Sequence, residues 1–132
     1  PAYTVSRLQE ALNEIGLPLK DTKIAVLGLA YKPGIDDTRE SPALEIIAEL
    51  RRRLAVVRAF DPHVPDKSDV RELSETLSCD ALVLATAHPE FAEIDFHAAA
   101  EAGVKVVLDG QNFFDKNKVV SAGILYRGLG RQ

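Results

Sequence analysis

The sequence holds no methionine, no tryptophan and a single cysteine, Cys79, in 132 residues. One cysteine excludes an internal disulfide, and no cationic, apolar leader-like segment opens the chain, so a reducing, cytoplasmic setting is expected. The missing methionine, in a chain that opens directly on an amphipathic pattern, suggests a piece of a longer protein. No apolar run approaches the roughly 18 residues that a membrane helix requires. Positive charge is scarce as well: 16 Lys and Arg stand against 20 Asp and Glu, a net charge of −4. No basic cluster is dense enough to follow a nucleic-acid backbone. Neither a membrane nor a nucleic acid is expected as a partner. The phosphate-cradling strings G-x-G-x-x-G and G-x-x-x-x-G-K-[ST] are absent too, so the chain is not an obvious dinucleotide binder.

What is present is an ordinary globular composition, 46% hydrophobic and 27% charged, which at this length means one packed domain. Val5, Leu8, Leu12 and Ile15 recur at helical spacing until Gly16 and Pro18 end the pattern. Residues 23–29 (KIAVLGL) form the short, nearly continuous apolar run of a strand buried on both faces. Ser41 offers an N-cap and Pro42 a first helical residue for the stripe Leu44, Ile46, Ile47 and Leu50. Arg51, Arg52 and Arg53 follow, and are expected to complement the helix C-terminus. Further strands are read at 55–60, 81–85, 104–108 and 124–129. Helical patterns lie between them at 68–77, capped by Ser68, and at 94–102.

Strands alternating with helices build right-handed βαβ units. The expected fold is α/β: a Rossmann-like, doubly wound, mostly parallel sheet of about five strands, with an N-terminal helix. In the common spatial order 3-2-1-4-5, the loops leaving the first and fourth strands flank the ligand crevice at the carboxyl edge. Those loops, 30–40 (AYKPGIDDTRE) and 109–115 (DGQNFFD), are the most polar stretches of the chain.

In the first loop Lys32 and Arg39 stand against Asp36, Asp37 and Glu40. An anion there must be held by placed donors, and Lys32, just beyond the strand, is the best placed. The other reading makes both cations solvated charges paired with acidic neighbours. Asp36 and Asp37 read as turn formers, and no metal site is expected. His63, His88 and His97 lie on three different connections, without zinc-site spacing or a serine elbow, and read as surface histidines. Cys79 precedes a buried strand with no cation near it in sequence, and reads as a small core residue. Phe113 and Phe114 either stack on a base or form core and rim. No residue of the chain reads as catalytic.

Residues 23–43 (KIAVLGLAYKPGIDDTRESPA), together with VVRAFDPHV, CDALVLATAHPEF and VVLDGQN, resemble the C-terminal, UDP-binding domain of the UDP-glucose/GDP-mannose dehydrogenase family. The strings GLAYKP, AHPEF and YRGLGR look nearer to its UDP-N-acetylmannosamine branch than to its UDP-glucose branch. The resemblance implies an enzyme of three parts. These are an N-terminal NAD-binding domain, a central helical dimerisation region with the catalytic cysteine, and this domain. Such an enzyme oxidises C6 of a UDP-sugar, UDP-N-acetylmannosamine or UDP-glucose, to a uronate with NAD, as a homodimer or higher oligomer. On that pattern residues 1–20 are a linker helix from the central region and 21–132 the UDP-sugar-binding domain. Cys79 does not match the nucleophile, so the isolated chain is expected to be inactive.

Carried over by the same resemblance, Tyr31 and Lys32 are the aromatic and lysine that touch substrate, and Arg39 is the arginine that reaches toward NAD on the neighbouring domain. Gln111 stands where members resembling UDP-glucose dehydrogenase carry arginine, so a contact there loses charge assistance. Asn112 is expected to share its role. Cut from its neighbours, the first helix is expected to expose Leu8 and Leu12 as an interface. A reading of a different class, a receiver-like or protein-interaction module, calls for a phospho-acceptor aspartate at the end of the third strand, where the sequence has Ala85, Thr86, Ala87 and His88.

Overall fold

Each short apolar run becomes a strand, and in the computed structural model, which describes residues 2–129, all five strands lie parallel in one sheet. In chain order the elements are α1 (Ala2–Glu14), β1 (Lys23–Leu27), α2 (Pro42–Arg52), β2 (Val56–Phe60), β3 (Ala81–Leu84), α3 (Phe96–Ala102), β4 (Val106–Asp109), α4 (Lys116–Ser121) and β5 (Leu125–Gly128). Short 3₁₀ turns at Pro65–Lys67, Leu73–Leu77 and Pro89–Glu93 fill the connections. The last residues of the closing YRGLGR string lie outside the described residues.

The spatial order is β2-β1-β3-β4-β5, which corrects the expected 3-2-1-4-5. The reason is visible in β2. Its Val56 is 49% exposed and Arg58 faces solvent, so this strand suits an edge and not the interior place that the expected order gives it. β3 (ALVL), buried along its whole length, takes the central position instead. The reversal of winding then falls between β1 and β3, and the crevice of such a sheet lies at the carboxyl ends of those two strands.

Alternate residues of the strands feed two cores. On one face Ile24, Val26, Val83 and Leu108 pack under α1 and α2 through Leu8, Leu12, Ile47 and Leu50. On the other, Leu27, Leu84 and Val107 meet Phe91, Phe96, Val119 and Tyr126. Leu8 and Leu12 are 1% and 0% exposed, against the expectation of an apolar interface on α1. They instead cover the β4–β5 side of the sheet, and Arg127 of β5 pairs with Glu14 of α1 at 2.6 Å. Tyr3 and Ile15 are the exposed apolar residues of this segment.

The cap at α2 is as expected: the Ala43 N–H donates to Ser41 Oγ at 3.2 Å. Its arginines stand at the helix C-terminus as expected, Arg51 and Arg52 in the last turn and Arg53 at the cap, and are paired as well. Arg52 and Arg53 both bind Glu49 one turn back, and Arg51 reaches Asp69 at 3.6 Å. No α-helix forms over 68–77. Asp69 instead pairs with the open edge of β2, its carboxylate accepting the Ala59 N–H at 2.7 Å and its own N–H reaching the Ala59 carbonyl at 2.8 Å. Ser68 Oγ accepts the Asp61 N–H. A strand edge that needs partners outcompetes helical periodicity here. α4, capped by Asp115, is a helix that the apolar pattern did not announce.

Candidate functional site

Two buried carboxylates organise the carboxyl edge of the sheet. Asp61, just past β2, accepts the N–H groups of Leu29 and Ala30 on Oδ2 at 2.7 and 2.9 Å and that of His63 on Oδ1 at 2.7 Å. Asp109, closing β4, accepts those of Gln111 and Phe113 on Oδ1 at 3.1 Å and that of Phe114 on Oδ2 at 2.8 Å, and also takes the Tyr126 hydroxyl at 2.8 Å. Both are fully buried. Their charge is balanced by amides and hydrogen-bond donors, an arrangement that fixes backbone paths.

The β1 loop leaves the sheet from a locked root. The Ala30 carbonyl accepts from Thr86 Oγ1 at 2.6 Å, and the Tyr31 N–H donates to the Asp37 carbonyl at 2.6 Å. Beyond that root Tyr31 is 51% exposed. Lys32 beside it is exposed and has no hydrogen-bond or ion-pair partner among the described residues. Arg39 is engaged: its guanidinium grips Asp37 at 2.8 Å while its side chain is 88% exposed. That grip and the Arg39 backbone N–H hold the Asp37 carboxyl down at about 2. The reading of solvated, paired charges therefore describes Arg39 and not Lys32.

Gln111 and Asn112 lie two strands away, on the β4 loop. Gln111 Nε2 donates to the Ala85 carbonyl at 2.9 Å, and Asn112, at φ +51°, donates from Nδ2 to the Leu129 carbonyl at 3.4 Å. The expected residues thus share one edge, with the β3 tail, Ala85 and Thr86, bridging the two loops. β1 and β4 stand two strand spacings apart, roughly 10 Å. A small cleft at the β4 side is lined by Thr4, Ile46, Ala85, Gly110, Gln111 and Leu129. Another, lined by Lys23, Arg58, Glu75 and Cys79 at the opposite edge, is far from the switch point. Phe114 is buried edge-to-face on Phe96 and Phe113 packs on Phe114, so this pair forms core and rim.

Sequence reasoning missed His88. It is not a surface histidine but fully buried, Nε2 lying 2.8 Å from Asp61 Oδ2 and Nδ1 accepting the Gly34 N–H at 3.0 Å. The His63 ring stacks on it at 4.3 Å. Only His97 and the half-buried His63 remain near the expectation. The signal that could have found the pair is an Asp and a His at the ends of strands that flank β1, legible only once the strand order is known.

A dinucleotide cradle does not fit these residues. The glycine ending β1, Gly28, is filled against Thr86, where a pyrophosphate would need open backbone, and Pro42 removes an amide from the start of α2. The strand order is shared by receiver modules, but the third strand ends in Ala85 and Thr86, which offer no carboxylate to phosphorylate.

What remains is a doubly wound domain whose carboxyl edge presents exposed Tyr31 and Lys32 side by side, Lys32 without an ion-pair partner among the described residues. Residues 25–116 match the UDP-binding domain of the UDP-glucose/GDP-mannose dehydrogenase family, and the chain belongs to that family. It is 39% identical over 132 residues to the UDP-N-acetyl-D-mannosamine dehydrogenase of Pyrococcus horikoshii, covering 99% of this chain and 31% of that one. The solved structure of the Pyrococcus protein superposes with a TM-score of 0.90. The UDP-glucose 6-dehydrogenase of Rhizobium meliloti is 34% identical over 135 residues, covering 93% of this chain and 30% of the relative. An NDP-N-acetyl-D-galactosaminuronic acid dehydrogenase from Methanosarcina mazei, 27% identical, superposes with a TM-score of 0.92 over 100% of this chain and 29% of its own. The chain thus spans about a third of the length of these relatives. Among the described residues no helix is long and apolar enough to cross a membrane.

Proposed function

We propose that this chain is the UDP-sugar-binding part of an NAD-dependent UDP-sugar 6-dehydrogenase that works in the cytoplasm. UDP-N-acetylmannosamine or UDP-glucose is the substrate class. The observation that carries this reading is Lys32: an exposed cation without an acidic partner, beside exposed Tyr31, on a loop pinned at the switch point. Lys32 meets the diphosphate and Tyr31 the substrate beside it. Gln111 and Asn112, on the loop two strands away across the β3 tail, meet the other end through neutral amides.

The oxidation itself belongs to other parts of a longer enzyme. Cys79 sits buried at the edge of the sheet opposite the crevice, and the described residues offer no pyrophosphate cradle for NAD. NAD is bound by another domain, toward which the exposed Arg39 side chain reaches. Residues 1–20 lead in from a central region that also joins the subunits of a homodimer or higher oligomer.

Calorimetric titration of the chain with UDP, with uridine as control, tests this. Lys32→Ala should weaken UDP binding about 10- to 100-fold, the value of a charge-assisted hydrogen bond, and leave uridine binding unchanged. Equal UDP affinity in the variant overturns the assignment.

A further inference from the structure

A backbone N–H can only donate, so the Gly34 amide 3.0 Å from His88 Nδ1 finds that nitrogen without a proton. The ring proton therefore sits on Nε2 and is donated to Asp61 Oδ2 at 2.8 Å. The same oxygen takes the N–H groups of Leu29 and Ala30. Asp61 and His88 are fully buried, so water cannot replace a lost partner and each broken bond leaves a desolvated polar group. Along the chain the anchored amides are those of Leu29, Ala30 and Gly34. They bracket Tyr31, Lys32 and Pro33.

We propose that His88 is a positioning residue for the diphosphate-contacting loop: its Nδ1 anchors the Gly34 N–H, Asp61 fixing the tautomer that lets Nδ1 accept, and so it fixes where Tyr31 and Lys32 stand when a nucleoside diphosphate binds. This rests on the UDP reading above. Without the Gly34 anchor the exposed Tyr31–Lys32–Pro33 stretch keeps, among the described residues, the hydrogen bonds of Ala30 and of the Tyr31 N–H to Asp37 on one side and the packing of Ile35 on the other. Binding then includes the cost of ordering the loop. The hydrogen bonds also decide what the neighbouring histidine cluster is for. Ligand-capable atoms of His63, His88 and Glu90 lie within 4.8 Å of one another. A metal ion on His88, however, has to break either the Asp61 or the Gly34 bond, so the pair serves the loop and not a cation.

Two variants separate the two bonds. In His88→Gln the amide nitrogen replaces Nε2 and keeps Asp61, while the Gly34 anchor is lost. In His88→Asn the amide oxygen replaces Nδ1 and keeps Gly34, while the Asp61 bond is lost. Both should lower the Tm. UDP affinity should fall about tenfold in His88→Gln, one buried hydrogen bond, and stay within about twofold in His88→Asn. Wild-type affinity in His88→Gln, or losses that follow Tm equally in both variants, overturns the proposal. Should neither variant fold, the unsubstituted chain decides. Imidazole ¹⁵N spectra must show the Nε2–H form of His88. Gly34 amide exchange must slow with UDP, up to roughly 100-fold at a hundredfold excess over Kd, because UDP favours the anchored loop. A different tautomer, or exchange indifferent to bound UDP, overturns it. If the unsubstituted chain does not bind UDP at all, the parent reading fails, and this one with it.

Discussion

The Cβ that Gly28 lacks would fall 2.5 Å from Thr86 Cβ and 2.6 and 2.7 Å from the Thr86 backbone nitrogen and oxygen. At φ +94° this residue also occupies the left-handed region. β1 and the β3 tail therefore approach more closely than any side chain allows. Gly28→Ala should cost about 2–5 kcal/mol in urea unfolding, overpacking and backbone strain together. A loss within about 0.5 kcal/mol, typical of surface changes, would show that the β3 tail yields freely.

Tyr126 holds the β4 loop from below, its hydroxyl donating to buried Asp109. Tyr126→Phe keeps the ring in the core and removes the donor. A destabilisation of about 1–2 kcal/mol is expected by thermal or urea unfolding, together with faster amide exchange at Phe113 and Phe114. Unchanged exchange at those two amides would show that the backbone donors alone hold Asp109.

The side-chain and backbone N–H groups of Arg39 hold the Asp37 carboxyl down at about 2, against an ordinary 3.8. A folded-state value below the unfolded one stabilises the fold above the unfolded value, and that contribution disappears as pH falls from about 3.8 to about 2. Carboxyl ¹³C titration should place the Asp37 midpoint near the lower figure. Arg39→Ala should raise it only part of the way, since the backbone N–H of residue 39 still donates. A midpoint that does not move would remove the guanidinium as the cause.

Burial pushes the Cys79 thiol up to about 12, and its Sγ donates to the Ala81 carbonyl at 3.2 Å. At pH 8 iodoacetamide should modify it in urea and hardly at all in the folded chain, because the thiolate is the nucleophile. Rapid labelling of the native protein would mean that this edge of the sheet opens.

The elements whose reason is local were legible in the sequence: the apolar run of β1, the Ser41–Pro42 start of α2, and the alternation that gives a parallel sheet. What escaped depends on distant partners. Arg58 marks β2 as an edge strand only when its neighbours are considered, and the strand order turns on it. Val70, Leu73 and Leu77 keep helical spacing, yet Asp69 and Ser68 are drawn to the open edge of β2. His88 and Asp61 are 27 positions apart, and nothing local announces that they share a proton. The loops of the candidate site were legible. The carboxylates beneath them stood only as letters of longer strings, Asp61 in VVRAFDPHV and Asp109 in DGQNFFD.

Asp109 grips its loop through main-chain amides, which every residue except proline possesses. The side chain at 111 can accordingly be exchanged while the loop keeps its course, Gln111 forfeiting only its bond to Ala85, whereas Asn112, at φ +51°, is held to the few residues that adopt that backbone. A surface built this way can be retuned without new architecture: charge can be added or withdrawn at 111 without rebuilding the sheet that carries it.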